Sequence, residues 1–256
     1  MNNTEDSRDK NTAAQHAVFQ SIFSGPKGEC LRITHDTTDP LTRYVRDRRI
    51  WRVIQRLRTM NVPAFSEMTA LVICGGSGGE ASLLRKAGFR TVVNSDFSSE
   101  AVARAKDRDP EVESLVINAQ DIHLPDDAFD LVFVQDGLHH LSRPAAGLNE
   151  MLRVAKRIVV VLEPHTGIVA QLIGTTWEKH GEIVNFVFRW NNSIFRQIAL
   201  SQLLQRHCTI FCLRAWDHSG MVYKVAKMPR VKPCEKLIAQ ILYALLTPFN
   251  FLGNSF

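Results

Sequence analysis

The sequence predicts an α/β protein: a doubly wound, mainly parallel sheet with helices on both faces, an antiparallel last strand, a helical N-terminal segment and a helical insertion. Three observations carry that expectation. From Ala70 to Pro164, short strand-like runs alternate with amphipathic helical stretches, the signature of βαβ units. The runs ALVIC, SLVIN, FDLVFV and RIVVVLEP are almost wholly apolar, as strands covered on both faces are. The chain has 256 residues, 45% of them hydrophobic, which suits one α/β domain with additions.

Taken in order, residues 1–13 are polar and read as a disordered tail. Residues 14–63 read as a helical N-terminal cap. It starts with the apolar segment AVFQSIF, breaks at Gly25-Pro26, and resumes after Asp39-Pro40 as a helix from about Leu41 to Met60. Ile50, Val53, Ile54 and Leu57 recur there at helical spacing. Residues 64–256 form the main domain. ALVIC is its first strand, GGSGG a turn, and EASLLRKAG a helix closed by Gly88. TVVNSD is the second strand, and SSEAVARAKDR a helix that Ser98 or Ser99 can cap. SLVIN, then Ala128–Val134, then RIVVVLEP are the remaining strands, with AAGLNEMLRVAK as the helix before the last. Beyond Pro164 the rhythm breaks. Residues 165–205 read as a helical insertion rich in aromatics, CTIFCLRAW as a strand, LIAQILYALL as a helix packed on the sheet, and NSF as a final strand.

Formal net charge is +5. Seven arginines fall between Arg43 and Arg58, and Lys224, Lys227, Arg230, Lys232 and Lys236 form a second basic cluster. Solubility is the simpler reading of this charge; a polyanionic partner is the sharper one. The five cysteines, Cys30, Cys74, Cys208, Cys212 and Cys234, are odd in number and hold no close C-x-x-C pair. That argues against a disulfide framework or a zinc site, and no metal is expected. A reducing cytoplasm suits them. No run of about 18 apolar residues suggests a span, and the N-terminus lacks a signal core. The basic C-terminal region joined to LIAQILYALL leaves a peripheral contact with an anionic membrane open.

The strand, glycine turn and helix from Ala70 to Gly88 would let backbone N–H groups approach an anionic ligand. GSGGEA fits a dinucleotide fingerprint, and Asp96 ends the second strand where a carboxylate can accept two ribose hydroxyls. That half of the chain serves a dinucleotide equally well. The second half separates the two readings. It holds QDIHLPDDAFD before the fourth strand, GLHHL after it, and LEP at the end of the fifth. Over about Leu71–Pro164 the sequence resembles the class I S-adenosylmethionine-dependent methyltransferases with a D-x-x-x-LP-x-x-x-FD motif, whose sheet is Rossmann-like. The resemblance implies S-adenosyl-L-methionine as cofactor. It places Gly75, Gly76 and Gly78 at the methionine end and Asp96 on the ribose. Phe97 lies beside the adenine, Asp121 and Ile122 at the adenine edge and face, and Gln135 near the sulfonium. Two positions depart from the pattern: Val72 stands where an acid helps hold the methionine ammonium, and Cys74 replaces the first glycine.

Methyl transfer is a direct displacement, so alignment supplies much of the rate. An oxygen acceptor also needs a base. His139 and His140 are the first candidates, with Asp136, Glu163 and His165 behind them; all follow the fourth or fifth strand, at the edge where open α/β sheets bind ligands. The expected activity is O-methylation of a small-molecule or glycan acceptor, with the aromatics of 165–205 as a candidate wall. Three other readings stand beside it. An RNA methyltransferase would suit the charge, but VQDG stands where an N-P-P-Y-like tetrad is looked for and no RNA-binding module is evident, so nucleic acid is not the expected partner. A nicotinamide-dependent oxidoreductase would fit GSGGEA and Asp96, and Tyr223 and Lys227 form Y-x-x-x-K, but in a basic stretch far past the fourth strand, where the spacing reads as chance. A non-catalytic protein of the same fold would explain Val72 and Cys74.

Overall fold

The structure, a computed structural model, describes residues 3–24, 39–167, 172, 177–180, 183–202, 209–211, 213–214, 220–228 and 232–252. Five strands form one all-parallel sheet: β1 (Thr69–Ile73), β2 (Thr91–Asp96), β3 (Glu113–Val116), β4 (Phe129–Gln135) and β5 (Ala155–Leu162), in the spatial order β3-β2-β1-β4-β5. β1 is central, with Leu71 opposite Val93 on one side and Val132 on the other.

Alternation along the strands explains why both faces carry helices. Leu71, Ile73, Val132 and Val134 point to one face and pack with Leu148, Met151 and Trp190. Ala70, Val72, Leu131 and Phe133 point to the other and pack with Ile50, Ile54 and Leu84. Each large apolar side chain so buried stabilises the fold by about 1.5–3 kcal/mol. A strand apolar at every position has no face to turn toward water.

Two helices lie N-terminal to the sheet. α1 (Asn3–Ser24) takes in most of the segment expected to be disordered. A polar sequence is carried into helix there because Phe23 docks against Ala101, and tertiary packing supplies what propensity does not. α2 (Pro40–Arg58) begins where the sequence predicts. Asp39 caps it by accepting from the Thr42 N–H at 3.0 Å, and Pro40 holds the first position.

The helices of the βαβ units follow the predicted boundaries closely. α3 (Gly79–Ala87) closes on Gly88 at φ 103°. α4 (Ser99–Arg108) is capped by Ser98, whose hydroxyl accepts from the Ala101 N–H. α5 (Pro144–Val154) leads into β5.

The additions differ from expectation. Within 165–205, Trp177–His180 (β6) and Ile183–Phe186 (β7) form an antiparallel hairpin, with Trp177 and Phe186 facing each other edge to face at 5.3 Å. Only Asn192–Gln202 (α6) is a full helix in that stretch among the described residues. β-branched and aromatic residues paired across strands outweigh the helical spacing. α7 (Gly220–Ala226) and α8 (Glu235–Leu246) complete the described chain. α8 packs not on the sheet but on α2 and α7, where Ala239 and Tyr243 join Leu41, Val45, Val222 and Ala226. Its outer face leaves Leu237, Ile241 and Leu245 exposed. The expected strand at CTIFCLRAW falls partly outside the described residues, and the described part is not strand. The expected last strand at NSF lies wholly outside them. No helix among the described residues is long and apolar enough to cross a membrane.

Candidate functional site

The strand order reverses between β1 and β4, and the crevice beyond their carboxyl ends is where such sheets bind ligands. A cavity of about 250 Å³ lies there. Its floor is the segment after β1. Cys74, Gly76 and Gly78 all take positive φ, at 54°, 51° and 79°. The Gly75 N–H donates to the Ser95 carbonyl at 2.8 Å, and the Gly78 N–H to the Gly75 carbonyl at 2.8 Å. A Cβ on Gly75 would lie 2.1 Å from Asn94 Oδ1 and 2.8 Å from Val72 Cγ1. Only glycine fits this close approach to β2, and Gly75, Gly76 and Ser77 line the cavity. Gly78 is the cap residue of α3 and is not part of the cavity wall.

Asp96 ends β2 inside the cavity. Its Oδ2 accepts from the Gly76 N–H at 2.9 Å and its Oδ1 from the Ser98 N–H at 2.9 Å. Burial pushes its carboxyl above the usual range; the N–H groups of Ser98, Gly76 and Phe97 and the charge of His16 pull the other way. Phe97 lines the cavity and meets the His16 ring edge-on at 4.5 Å.

Beyond β3, the cavity is lined by Ile117, Asn118, Ala119 and Gln120. Asp121 and Ile122 are not in the wall. The Asp121 side chain is 67% exposed and faces His123 at 3.6 Å, while Ile122 is 2% exposed in the core. This segment is held from beneath by two residues the sequence did not single out. Glu150 accepts from the Ile122 N–H at 2.8 Å, and Arg153 donates to the carbonyls of Ile122 and Leu124 and to Glu150. The Arg153 guanidinium holds the Glu150 carboxyl below its usual range.

After β4, Gln135 and Asp136 enter the wall, with Asp136 at φ 51°. Gly137 packs so tightly on Cys74 that a Cβ would lie 2.4 Å from the cysteine Cβ. The 3-10 turn Leu138–His140 is anchored by Glu163, fully buried at the end of β5. Glu163 accepts from the N–H groups of Gly137, Leu138 and His139 and lies 2.6 Å from His139 Nδ1. His139 is therefore held under the floor, and His140 lines the cavity. Its ring meets Phe19 edge-on at 5.3 Å. His165 is buried beside Trp190, away from the cavity, and burial pushes its pKa down to about 4.

The roof comes from the N-terminal helices. Thr12, Gln15, Phe19 and Phe23 reach down from α1, and Arg46 from α2. Glu80, from the first turn of α3, also lines the cavity. None of these was named as a site residue from the sequence, although Arg46 lies in the Arg43–Arg58 cluster, Phe19 and Phe23 in AVFQSIF and Glu80 in GSGGEA. The Phe19–Phe23 spacing of four was the available signal. The aromatics expected to wall an acceptor lie elsewhere: Trp190 is fully buried in the core, with Phe188 and Phe195 packed against it.

Residues 71–161 match the methyltransferase domain family, a span from β1 to the end of β5. Two relatives share that region. The demethylmenaquinone methyltransferase of Clavibacter sepedonicus is 33% identical over 132 residues, 49% of this chain and 52% of the relative. That of Beutenbergia cavernae is 37% identical over 93 residues, 35% of this chain and 38% of the relative. The chain thus spans about half or less of the length of these curated relatives. Two solved structures share the fold. A chain of the Haloferax volcanii complex containing the Trm112 methyltransferase activator gives a TM-score of 0.54 at 19% identity, covering 68% of this chain and 75% of that one. Magnesium protoporphyrin IX methyltransferase from Synechocystis PCC 6803 gives 0.51 at 13% identity, covering 83% and 89%. Residues 71–161 thus carry a methyltransferase-domain match, and the parallel sheet has the Rossmann-like order of such folds.

Proposed function

We propose that this protein is an S-adenosylmethionine-dependent methyltransferase acting on a small, largely apolar acceptor. The observation that carries the proposal is the cavity at the strand-order reversal, where the glycine turn, Asp96, Phe97 and His140 converge. The residues present fit the cofactor: a Cβ at Gly75 has no room, so the turn offers bare backbone, and Asp96 lies in the wall at the end of β2. Gly75 and Gly76 would hold the methionine end, Asp96 the ribose, Phe97 the adenine, and Gln135 the region of the sulfonium. Gly78 serves by fixing the turn at the start of α3. In this arrangement Asn118 and Gln120 take the adenine-edge place expected of Asp121, and Ile122 supports them from the core. When bound, the cofactor supplies an electrophilic methyl group on a sulfonium.

The chain's own part is alignment and proton removal. His140 receives the acceptor's proton, and Glu163 and His139 fix the turn that carries it. Phe19, Phe23, Leu141 and Ile117 give the cavity an apolar lining, consistent with the demethylmenaquinone named for the relatives. A quinol-like acceptor, the reduced form that carries a removable proton, is therefore favoured over the glycan, with its oxygen or its ring carbon taking the methyl group.

Calorimetric titration with S-adenosylhomocysteine and NADH tests the cofactor. The homocysteine form should bind and NADH should not; NADH binding alone overturns the reading. Transfer of a labelled methyl group, offered a demethylated naphthoquinol, a phenol and a sugar in parallel, then reads the acceptor.

A further inference from the structure

The cavity wall changes character along the chain. Phe97 and Ile117–Gln120 contribute aromatic, apolar and amide surface beside the carboxyl of Asp96. Around Cys74–Ser77 the wall is charged. Glu80 is 7% exposed and Arg46 9% exposed, and both line the cavity together with Asp136. Asp136 is in turn ion-paired with Arg49, which is itself buried. Charged groups removed from water are costly unless opposite charges meet them. Here two carboxyl groups and a guanidinium line the wall near the glycine turn, and a ligand group carrying both signs would meet a complementary partner for each. An α-amino acid terminus, ammonium and carboxylate on one carbon, has that shape. Val72, standing where the resemblance implies an acid, cannot contribute: it is fully buried in the sheet.

We propose that Glu80 and Asp136 hold the ammonium of the ligand's amino-acid end and Arg46 its carboxylate, a clamp that replaces the acid missing at position 72. The proposal rests on the methyltransferase reading and adds to it the residues that select an amino-acid-bearing nucleoside over a plain one.

The electrostatics agree. Burial pushes the Glu80 carboxyl up to about 8, with Asp136 and Asp47 adding to the rise and its own backbone N–H and Arg46 opposing it. At neutral pH the empty cavity therefore holds a protonated Glu80. An arriving ammonium favours the carboxylate, so binding expels a proton.

The test uses the full chain and two probes that share an adenosine and a thioether. S-adenosylhomocysteine carries the amino-acid end; methylthioadenosine lacks it. Calorimetry at pH 7 in two buffers of different ionisation enthalpy reads affinity and proton release together. The wild type should bind S-adenosylhomocysteine about ten- to hundredfold more tightly than methylthioadenosine. Glu80→Gln and Arg46→Met should each erase most of that preference while changing methylthioadenosine affinity by less than about twofold, the margin of a group that does not touch the probe. Proton release on binding S-adenosylhomocysteine should vanish in Glu80→Gln. Unchanged S-adenosylhomocysteine affinity in both variants would overturn the clamp. So would an equal loss for both probes, which would mark the two residues as cavity supports. A wild type that binds neither probe would instead remove the methyltransferase reading, and the clamp with it.

Discussion

Along the floor of the cavity, position is set by backbone held in register; along its roof, by side chains reaching down from two helices. Gly75, Gly76 and Asp136 are tied through their N–H groups to Ser95, Asp96 and Leu162, on or beside neighbouring strands. α1 is held by a Gln20–Ser99 hydrogen bond at 3.0 Å, a Thr12–Ser142 contact at 3.3 Å and ring contacts of His16 and Phe19. The floor is held because these amides are paired to the edge of a sheet covered on both faces. These hydrogen bonds of α1 are exposed, and segments held at the surface open at low free-energy cost. Precision for the reacting centre belongs to the first region, and entry and exit to the second.

The sharpest way to break this contrast is at Glu163. Glu163→Ala leaves three backbone N–H groups and the His139 ring without their acceptor, and should cost about 3–5 kcal/mol by chemical denaturation. A loss below about 1 kcal/mol would mean the floor is less rigid than its bonding implies.

Next in size is Asp96→Ala, which should weaken S-adenosylhomocysteine binding by about 1.5–3 kcal/mol, or ten- to hundredfold. Unchanged affinity with a collapse in melting temperature would make Asp96 a support for the turn and nothing more.

Acid and base should then separate two buried groups. Glu80 has its pKa raised from 4.5 to about 8. Between those values the folded chain keeps a proton that the unfolded chain releases, so this contribution to stability is complete at low pH and is lost as pH rises toward 8. His165 has its pKa lowered from 6.5 to about 4, so its contribution is complete above 6.5 and is lost as pH falls toward 4. Melting temperature followed from pH 4 to 9 should lose the alkaline-side decline in Glu80→Gln and the acid-side decline in His165→Phe. Identical profiles in wild type and variants would refute both assignments.

The smallest effect is expected at Asp121. Its side chain is exposed and outside the cavity wall, so Asp121→Ala should change cofactor affinity by less than about twofold. A tenfold loss would restore the adenine role expected from the sequence and displace Gln120.

The floor was legible in the sequence because its signals are local. Alternating burial needs only a few residues of β1 and β4 to declare itself, and a glycine where no Cβ fits announces a turn. Strand limits were therefore right to within a few residues. The adenine side was legible only to its segment: Asp121 stands next to Gln120, and which of two neighbours faces inward depends on how Glu150 and Arg153 grip the chain from below. Contacts across that distance leave no local pattern. The roof was nearly illegible. α1 has two phenylalanines to signal its buried side and otherwise reads as solvent-loving. The hairpin at 177–186 looked helical because its aromatics suit either period until strands pair. Glu80 was visible as part of GSGGEA, but its burial beside Arg46 depends on α2 crossing from more than thirty residues away.

One feature of the roof carries a kinetic consequence. With α1 in place the cavity measures about 250 Å³, below the range of about 300–1,000 Å³ usual for ligand sites. Thr12, Gln15, Phe19 and Phe23 of α1 line that cavity, so the expected route for a ligand the size of a nucleoside bearing an amino acid runs past a displaced α1. Its association rate should accordingly level off with rising concentration, at the frequency with which α1 lifts, rather than climb linearly toward the diffusion limit. Stopped-flow binding on the full chain would reveal that plateau, and removal of residues 1–24 would straighten the line. Under the proposed function the helix would also set a dwell time: a spent cofactor beneath it leaves no faster than the cover opens, which ties turnover to the 22 residues of α1.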